Sequence, residues 1–134
     1  MIHQKDLRLG DLVQITEDLL EYKQGDTFVV IDISEDYIGL RSPDKSDGRP
    51  DMYTIGEYIE GIPLTPEILE KNGWDKERIY FTHSRIPRIK LCTDENEIRW
   101  SVSINGDIMG GYIFCVHQLQ HILWTFVEDT NLKI

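Results

Sequence analysis

Glu97 to Ile104, EIRWSVSI, runs straight into Asn105-Gly106 and then into residues 107–114, DIMGGYIF, and this stretch decides the class of fold. Ile98, Trp100, Val102 and Ile104 alternate with Glu97, Arg99, Ser101 and Ser103, the two-residue period of a strand with one buried and one wet face. Asn-Gly is the pair that a two-residue type I′ hairpin turn demands, because both central positions need positive φ. The chain is therefore expected to return through residues 107–114, with Gly110-Gly111 marking a bulge or a close backbone approach. The period then changes. In VHQLQHILWTFV, Val116, Leu119, Ile122, Leu123, Phe126 and Val127 recur at intervals of three and four, which predicts a helix with one apolar stripe. A strand hairpin followed at once by an amphipathic helix implies α+β, the helix packing on an antiparallel meander over residues 86–114.

Upstream, Ile62 to Trp74, IPLTPEILEKNGW, carries the chemistry of a short helix. Thr65 suits the N-cap, Pro66 the first helical position and Glu67 the positive helix end. Leu64 and Leu69 stand at the spacing of a hydrophobic staple, and Asn72-Gly73 supplies a left-handed stop. The expectation is a helix from Pro66 to about Lys71, with Ile68 and Leu69 inward and Trp74 folding back over its end. Residues 79–82 and 86–92 read as strands, and Asp94-Glu95-Asn96 as the turn before EIRWSVSI. In the first half, Gly10-Asp11 bends the chain into a strand ending near Thr16. DTFVVIDIS over residues 26–34 forms a hairpin with residues 37–41, and residues 52–55 offer another strand. Between them SPDKSDGRPD, residues 42–51, holds no apolar side chain and reads as a solvated loop. These short strands imply a small curled antiparallel sheet or an SH3-like barrel.

The chain has 134 residues, 40% of them hydrophobic, and 14 basic against 24 acidic side chains, a net charge of −10. That is one domain's worth of chain, 1–134, with residues 1–60 β-rich and 61–134 α+β as its parts. Three Trp, six Tyr and four Phe are enough bulk for a core and argue against disorder. The acidity argues against coating nucleic acid or an anionic membrane by bulk charge, which needs clustered Lys and Arg. Cys92 and Cys115 are too few for a disulfide framework. No apolar run has the length of a secretory signal or a membrane span, so the expectation is a cytoplasmic protein with no membrane partner.

Three segments together carry a resemblance: Leu7 to Val13, Ile62 to Trp74, and Val116 to Phe126. They resemble an uncharacterised family of Bacteroidales bacteria and of the phages and mobile elements of that group. Its members share an LRIGN-like start, an IPLTEEWLLKFGF-like helix and a VHQLQNLYFALTG-like C-terminal helix. The resemblance implies a mobile-element setting and assigns no activity. This chain departs from the pattern at His121, where Asn is usual, and at Val127-Glu128-Asp129, which replaces Leu-Thr-Gly.

No catalytic or nucleotide-binding motif is present: neither G-x-S-x-G, nor a P-loop, nor G-x-G-x-x-G. The expectation is a non-enzymatic protein without cofactor. His117 and His121 lie four apart near Cys115, but no third and fourth zinc ligand stands at a suitable spacing, so no metal is assigned. With Trp124 and Glu128 they instead form a polar and aromatic stripe beside the core stripe, either packed or facing a partner, or else simply exposed to solvent. Residues 1–75 hold seven basic and seventeen acidic side chains, whereas residues 76–134 hold seven of each. Within the latter, KERIYFTHSRIPRIK (residues 76–90) is locally basic, with Arg85, Arg88 and Lys90 among aromatics. Such a stretch binds single strands in some proteins, but on an exposed strand it commonly discourages edge pairing. The reading that follows is an accessory protein acting through protein contacts or self-association at His117, His121, Trp124, Arg85, Arg88 and Lys90. The alternatives are an acidic inhibitor imitating nucleic acid and a small-ligand or catalytic domain.

Overall fold

Four residues, 55–58, must carry the chain from one edge of a five-stranded sheet to the other, and this sets the shape of the first half. A computed structural model describes residues 1–126 and 132–134. The chain divides into two units, Met1–Ile62 and Pro63–Ile134. In the first, β1 (Leu12–Ile15), β2 (Thr27–Ile33), β3 (Ile38–Arg41), β4 (Met52–Thr54) and β5 (Ile59–Gly61) form an antiparallel sheet of order β4-β3-β2-β1-β5. Laid flat, its edge strands would stand about 19 Å apart. The link reaches about 17 Å when fully extended, and its 3₁₀ turn at Gly56–Tyr58 shortens it further. The sheet therefore curls, helped by a bulge between Val30 and Asp32 that increases the twist of β2. Of the two expected forms, the small curled sheet is the one that forms; β4 and β5 do not pair, so no closed barrel results. Its concave face buries Val13, Ile15, Phe28, Val30, Ile38, Leu40, Met52 and Ile59. On the outer face Tyr53 lies over Gly39, where a Cβ would meet its ring at 2.9 Å.

In the second unit the helix α1 spans Pro66–Lys71, and the Thr65 hydroxyl accepts the Ile68 N–H at 3.3 Å. Leu69 is buried and Ile68 half-buried. Trp74 is buried, with its ring edge-on to His83 at 5.5 Å. It opens β6 (Trp74–Glu77), a strand whose remaining residues Asp75, Lys76 and Glu77 are all exposed and gave no apolar pattern. β7 (Tyr80–His83), β8 (Ile86–Thr93), β9 (Trp100–Ile104) and β10 (Asp107–Ile108) complete a meander of order β10-β9-β8-β7-β6. His83 closes the α1 end onto it: its Nε2 bonds the Asn72 carbonyl at 3.0 Å, and its Nδ1 accepts the Arg85 N–H at 3.0 Å. The ring is thus the Nε2–H tautomer.

Trp100 is the junction of three segments. Its backbone N–H and C=O pair with Ile113 at 2.8 and 2.9 Å, and its indole N–H donates to the Leu64 carbonyl at 2.9 Å. Leu64 N–H in turn donates to Phe114 C=O at 2.9 Å. The return strand is shorter than expected: after β10 the chain leaves the ladder around Gly110-Gly111 and rejoins it at Ile113. Asn105 (φ 54°) and Gly106 (φ 87°) form the hairpin turn as read from sequence.

Ile98 departs from its expected place beside Trp100: it is 62% exposed while Trp100 is 0%. The left-handed Glu97 (φ 55°) ends the alternation, so residues 94–99 form a turn. α2 spans Val116–Phe126. Val116, Leu119 and Leu123 are buried as expected, but the buried face also takes His117 and Gln120, whereas Ile122 is half-buried and Phe126 exposed. Gln118, the third residue of α2, reaches back to accept the N–H groups of Phe114 and Cys115 at 2.7 and 3.0 Å, half of a capping box. Val127 and Glu128 lie outside the described residues.

All three Trp belong to the second unit, so tryptophan fluorescence reports its unfolding. Trp100→Phe keeps an aromatic ring but removes the indole N–H and orphans the buried Leu64 carbonyl, and should cost at least about 1–3 kcal/mol in urea denaturation. Ile98→Ala should change stability by less than about 0.5 kcal/mol. Equal losses from the two substitutions would contradict this structure.

Candidate functional site

Cross-strand register places one row of side chains on the outer face of the second sheet. Antiparallel partners share a face, so Asp75, Thr82, Lys90, Ser103 and Ile108 line up across β6 to β10. A second row holds Glu77, Tyr80, Cys92 and Ser101. The alternate residues Phe81, Ile89, Leu91, Trp100 and Val102 are buried on the opposite face. Between the rows lies a concavity of about 360 Å³ lined by Tyr80, Lys90, Cys92, Ser101, Ser103, Gly106 and Ile108. Its floor is short and polar: Cys92 is a free, half-buried thiol, and Ser101 Oγ donates to the Cys92 carbonyl at 3.4 Å. Its rim is Tyr80, 42% exposed, and Ile108, 77% exposed. The Lys90 ammonium sits 5.7 Å from the Tyr80 ring centroid, a cation–π contact.

The basic residues picked out from the sequence do not guard an edge. β8 is the central strand of five, so Lys90 projects from the middle of the open face; Arg88 is exposed two residues away on β8, beside the bulge that follows Thr82, and Arg85 occupies the β7–β8 turn. The charged edge belongs to β6, with Asp75, Lys76 and Glu77. The helical candidates are brought together as a ladder of rings. His117 meets His121 edge-on at 5.7 Å, and His121 stacks on Trp124 at 5.6 Å. The stripe is less open than expected, because His117 is only 7% exposed and the other two are half-buried. Val116 and Gln120 are buried on the helix with His117. Glu128, expected to extend the stripe, lies outside the described residues. Among the described residues no group of three or more His, Cys, Asp or Glu is placed to hold a metal. Among the described residues no helix is long and apolar enough to cross a membrane.

No family model, curated protein or solved structure matches this chain.

The outer face carries no linear motif. Its lining residues come from positions 80 to 108 on four strands and their turns, and only the register assembles them. Alternation in EIRWSVSI was the one usable signal, since turning Trp100 and Val102 inward turns Ser101 and Ser103 outward.

The loop 42–51, read from sequence as solvated, is exposed yet tied down. Arg49 lies over the Tyr22 ring at 4.3 Å and pairs with Asp47 at 2.8 Å, while Tyr22 donates its hydroxyl hydrogen to the Pro50 carbonyl. Arg41 and Asp51 form a two-bonded pair at 3.0 and 2.9 Å. Hydrogen bonds from Arg49 hold the Asp47 carboxyl far below the usual carboxylate range, and those from Arg41 lower Asp51. Burial raises the Tyr22 phenol. Because these folded carboxyls titrate below their unfolded value near 3.9, their contribution is complete above that value and is lost as pH falls through the lowered ones. In Arg49→Ala the Asp47 carboxyl should titrate upward, towards about 3.9, in a carbon-detected NMR titration. An Asp47 midpoint unmoved by the substitution would show that Arg49 is not its partner.

Proposed function

We propose that the chain is a non-enzymatic protein-contact module that engages a partner polypeptide through the outer face of its second sheet. The observation that carries this reading is the position of Arg88 and Lys90 on the central strand. Edge guarding cannot account for cations there, and they share the face with exposed Tyr80 and Ile108. Exposed aromatic and Arg side chains are the groups that dominate protein interfaces.

The turns at one end of the same sheet add to it. Ile79 and Ile98 are both 62% exposed, and each follows a left-handed non-glycine residue, Arg78 (φ 56°) and Glu97 (φ 55°). Each such residue costs about 1–2 kcal/mol, and strain of this kind gathers at functional surfaces. The two turns are separated by two strand spacings, about 10 Å, so their isoleucines extend the face into one apolar tip. The sequence resemblance favours an accessory role in a bacterial or phage mobile element, and the free thiols suit a cytoplasmic setting.

Photo-cross-linking in the producing cells tests the face. Tyr80→p-benzoylphenylalanine and Ile108→p-benzoylphenylalanine should yield the same protein adduct. Glu67→p-benzoylphenylalanine, on the exposed side of α1, should not. Arg88→Glu combined with Lys90→Glu should diminish the adduct. An adduct of twice the chain mass would identify a second copy as the partner. Identical labelling from all three positions, or no adduct from the face, would remove the proposal.

A further inference from the structure

We infer that the concavity around Lys90 is a carboxylate-recognition subsite, which takes an acidic side chain of the partner polypeptide flanked by apolar residues. The inference rests on the reading of this face as a protein-contact surface and names the chemistry that the partner must bring.

Charge is the first ground. The chain carries 24 acidic side chains, yet among the described residues no carboxylate lines the concavity and Lys90 is its one charged lining residue. Among the described residues Lys90 makes no ion pair; its contact is the Tyr80 ring, which leaves the ammonium donors open to the solvent side. Hydrogen-bond chemistry is the second. Ser103 is the direct cross-strand partner of Lys90, at a Cβ separation of about 5 Å, and Thr82 partners it on the other side. The Lys90 ammonium over Tyr80 and the Ser103 hydroxyl both belong to the lining, so a carboxylate entering the concavity meets a charged donor and a neutral one. Shape is the third. Tyr80 and Ile108 stand at opposite ends of the concavity, so the groups on either side of a bound carboxylate meet an aromatic ring and an aliphatic side chain.

Polyanions fit less well. A nucleic-acid strand needs several cations along its path, whereas continuing either row across β6 meets Asp75 or Glu77, and Arg88 and Arg85, further along β8 and its turn, do not line the concavity. A single carboxylate stops short of both. The site therefore suits one negative charge set in an apolar peptide.

The test is an NMR titration of the full ¹⁵N-labelled chain. The probes are acetyl-Leu-Asp-Leu-amide, its neutral isostere acetyl-Leu-Asn-Leu-amide, and an octamer of thymidine deoxynucleotides. The Asp peptide should produce saturable shifts at the amides of Lys90, Cys92, Ser101, Ser103 and Ile108. The Asn peptide, and Lys90→Gln with the Asp peptide, should bind roughly tenfold more weakly, as loss of a charge-assisted contact implies. Lys76→Gln, a charge removed from the other face of the same sheet, should bind as the unaltered chain does. Spectra of Lys90→Gln that match elsewhere establish that it is folded. Equal binding of the Asp and Asn peptides, absence of saturable shifts at these amides, or tighter binding of the oligonucleotide there would each overturn the subsite. Such a failure with the Tyr80 cross-link intact removes the subsite alone; loss of the cross-link as well removes the contact surface with it.

Discussion

The indole N–H of Trp100, donating to the carbonyl of Leu64 across 36 positions of sequence, is the bond on which the second unit is assembled. Leu64 leads into α1, Ile113 leads towards α2, and Trp100 opens β9, so one fully buried residue satisfies backbone groups from all three segments. A polar group buried without a partner costs about 1–3 kcal/mol, and here each finds one inside the junction. The edge of Phe81 on the Trp100 ring, at 5.5 Å between centroids, adds β7 to the same cluster. The consequence reaches the far side of the sheet. With Trp100 and Val102 turned inward, Ser101 and Ser103 must turn outward, and the polar floor beside Lys90 follows from the burial of the tryptophan.

The first unit is governed by a different constraint. Its four-residue link between sheet edges forces curvature, and curvature gives a small sheet an inside deep enough to bury Ile15, Ile38, Leu40 and Ile59 completely. Opposite charges then shape the surface. Of the acidic excess in the first 75 residues, Asp47 and Asp51 are spent locally on Arg49 and Arg41, which keeps an apolar-free loop in one place. In the second unit the economy differs, since among the described residues Lys90 has no carboxylate partner. The net charge of −10 therefore describes neither surface well.

What could be read from the sequence was what local chemistry decides. The helix Pro66–Lys71 was legible because Thr65, Pro66 and Asn72-Gly73 are caps whose action spans a single turn. The Asn105-Gly106 hairpin was legible because its φ requirement is local. β6 was not, because Asp75, Lys76 and Glu77 bear no apolar pattern, and only pairing with β7 makes them a strand. Ile98 was misplaced because a left-handed Glu97 interrupts an alternation that looks continuous. In α2 the period was right and the face was rotated: spacing alone does not choose between Ile122 with Phe126 and His117 with Gln120, and the surroundings of the helix do. The candidate site was legible only as its basic residues. That Lys90 stands beside Ser103 and near Tyr80 depends on register, which links residues far apart in the chain.

Frame and face make opposite demands: Trp100 has to be inaccessible for the outer side of β8 and β9 to be held open. The exchange rate of the Trp100 indole N–H, compared with that of Trp124 in the same spectrum, measures this directly. Trp124 is half-buried on α2, so its indole should exchange through local fluctuation. The Trp100 indole proton should exchange only through unfolding of the whole second unit, orders of magnitude more slowly. Exchange of the two indoles at similar rates would contradict the account, since a junction that opens locally cannot be what holds the sheet.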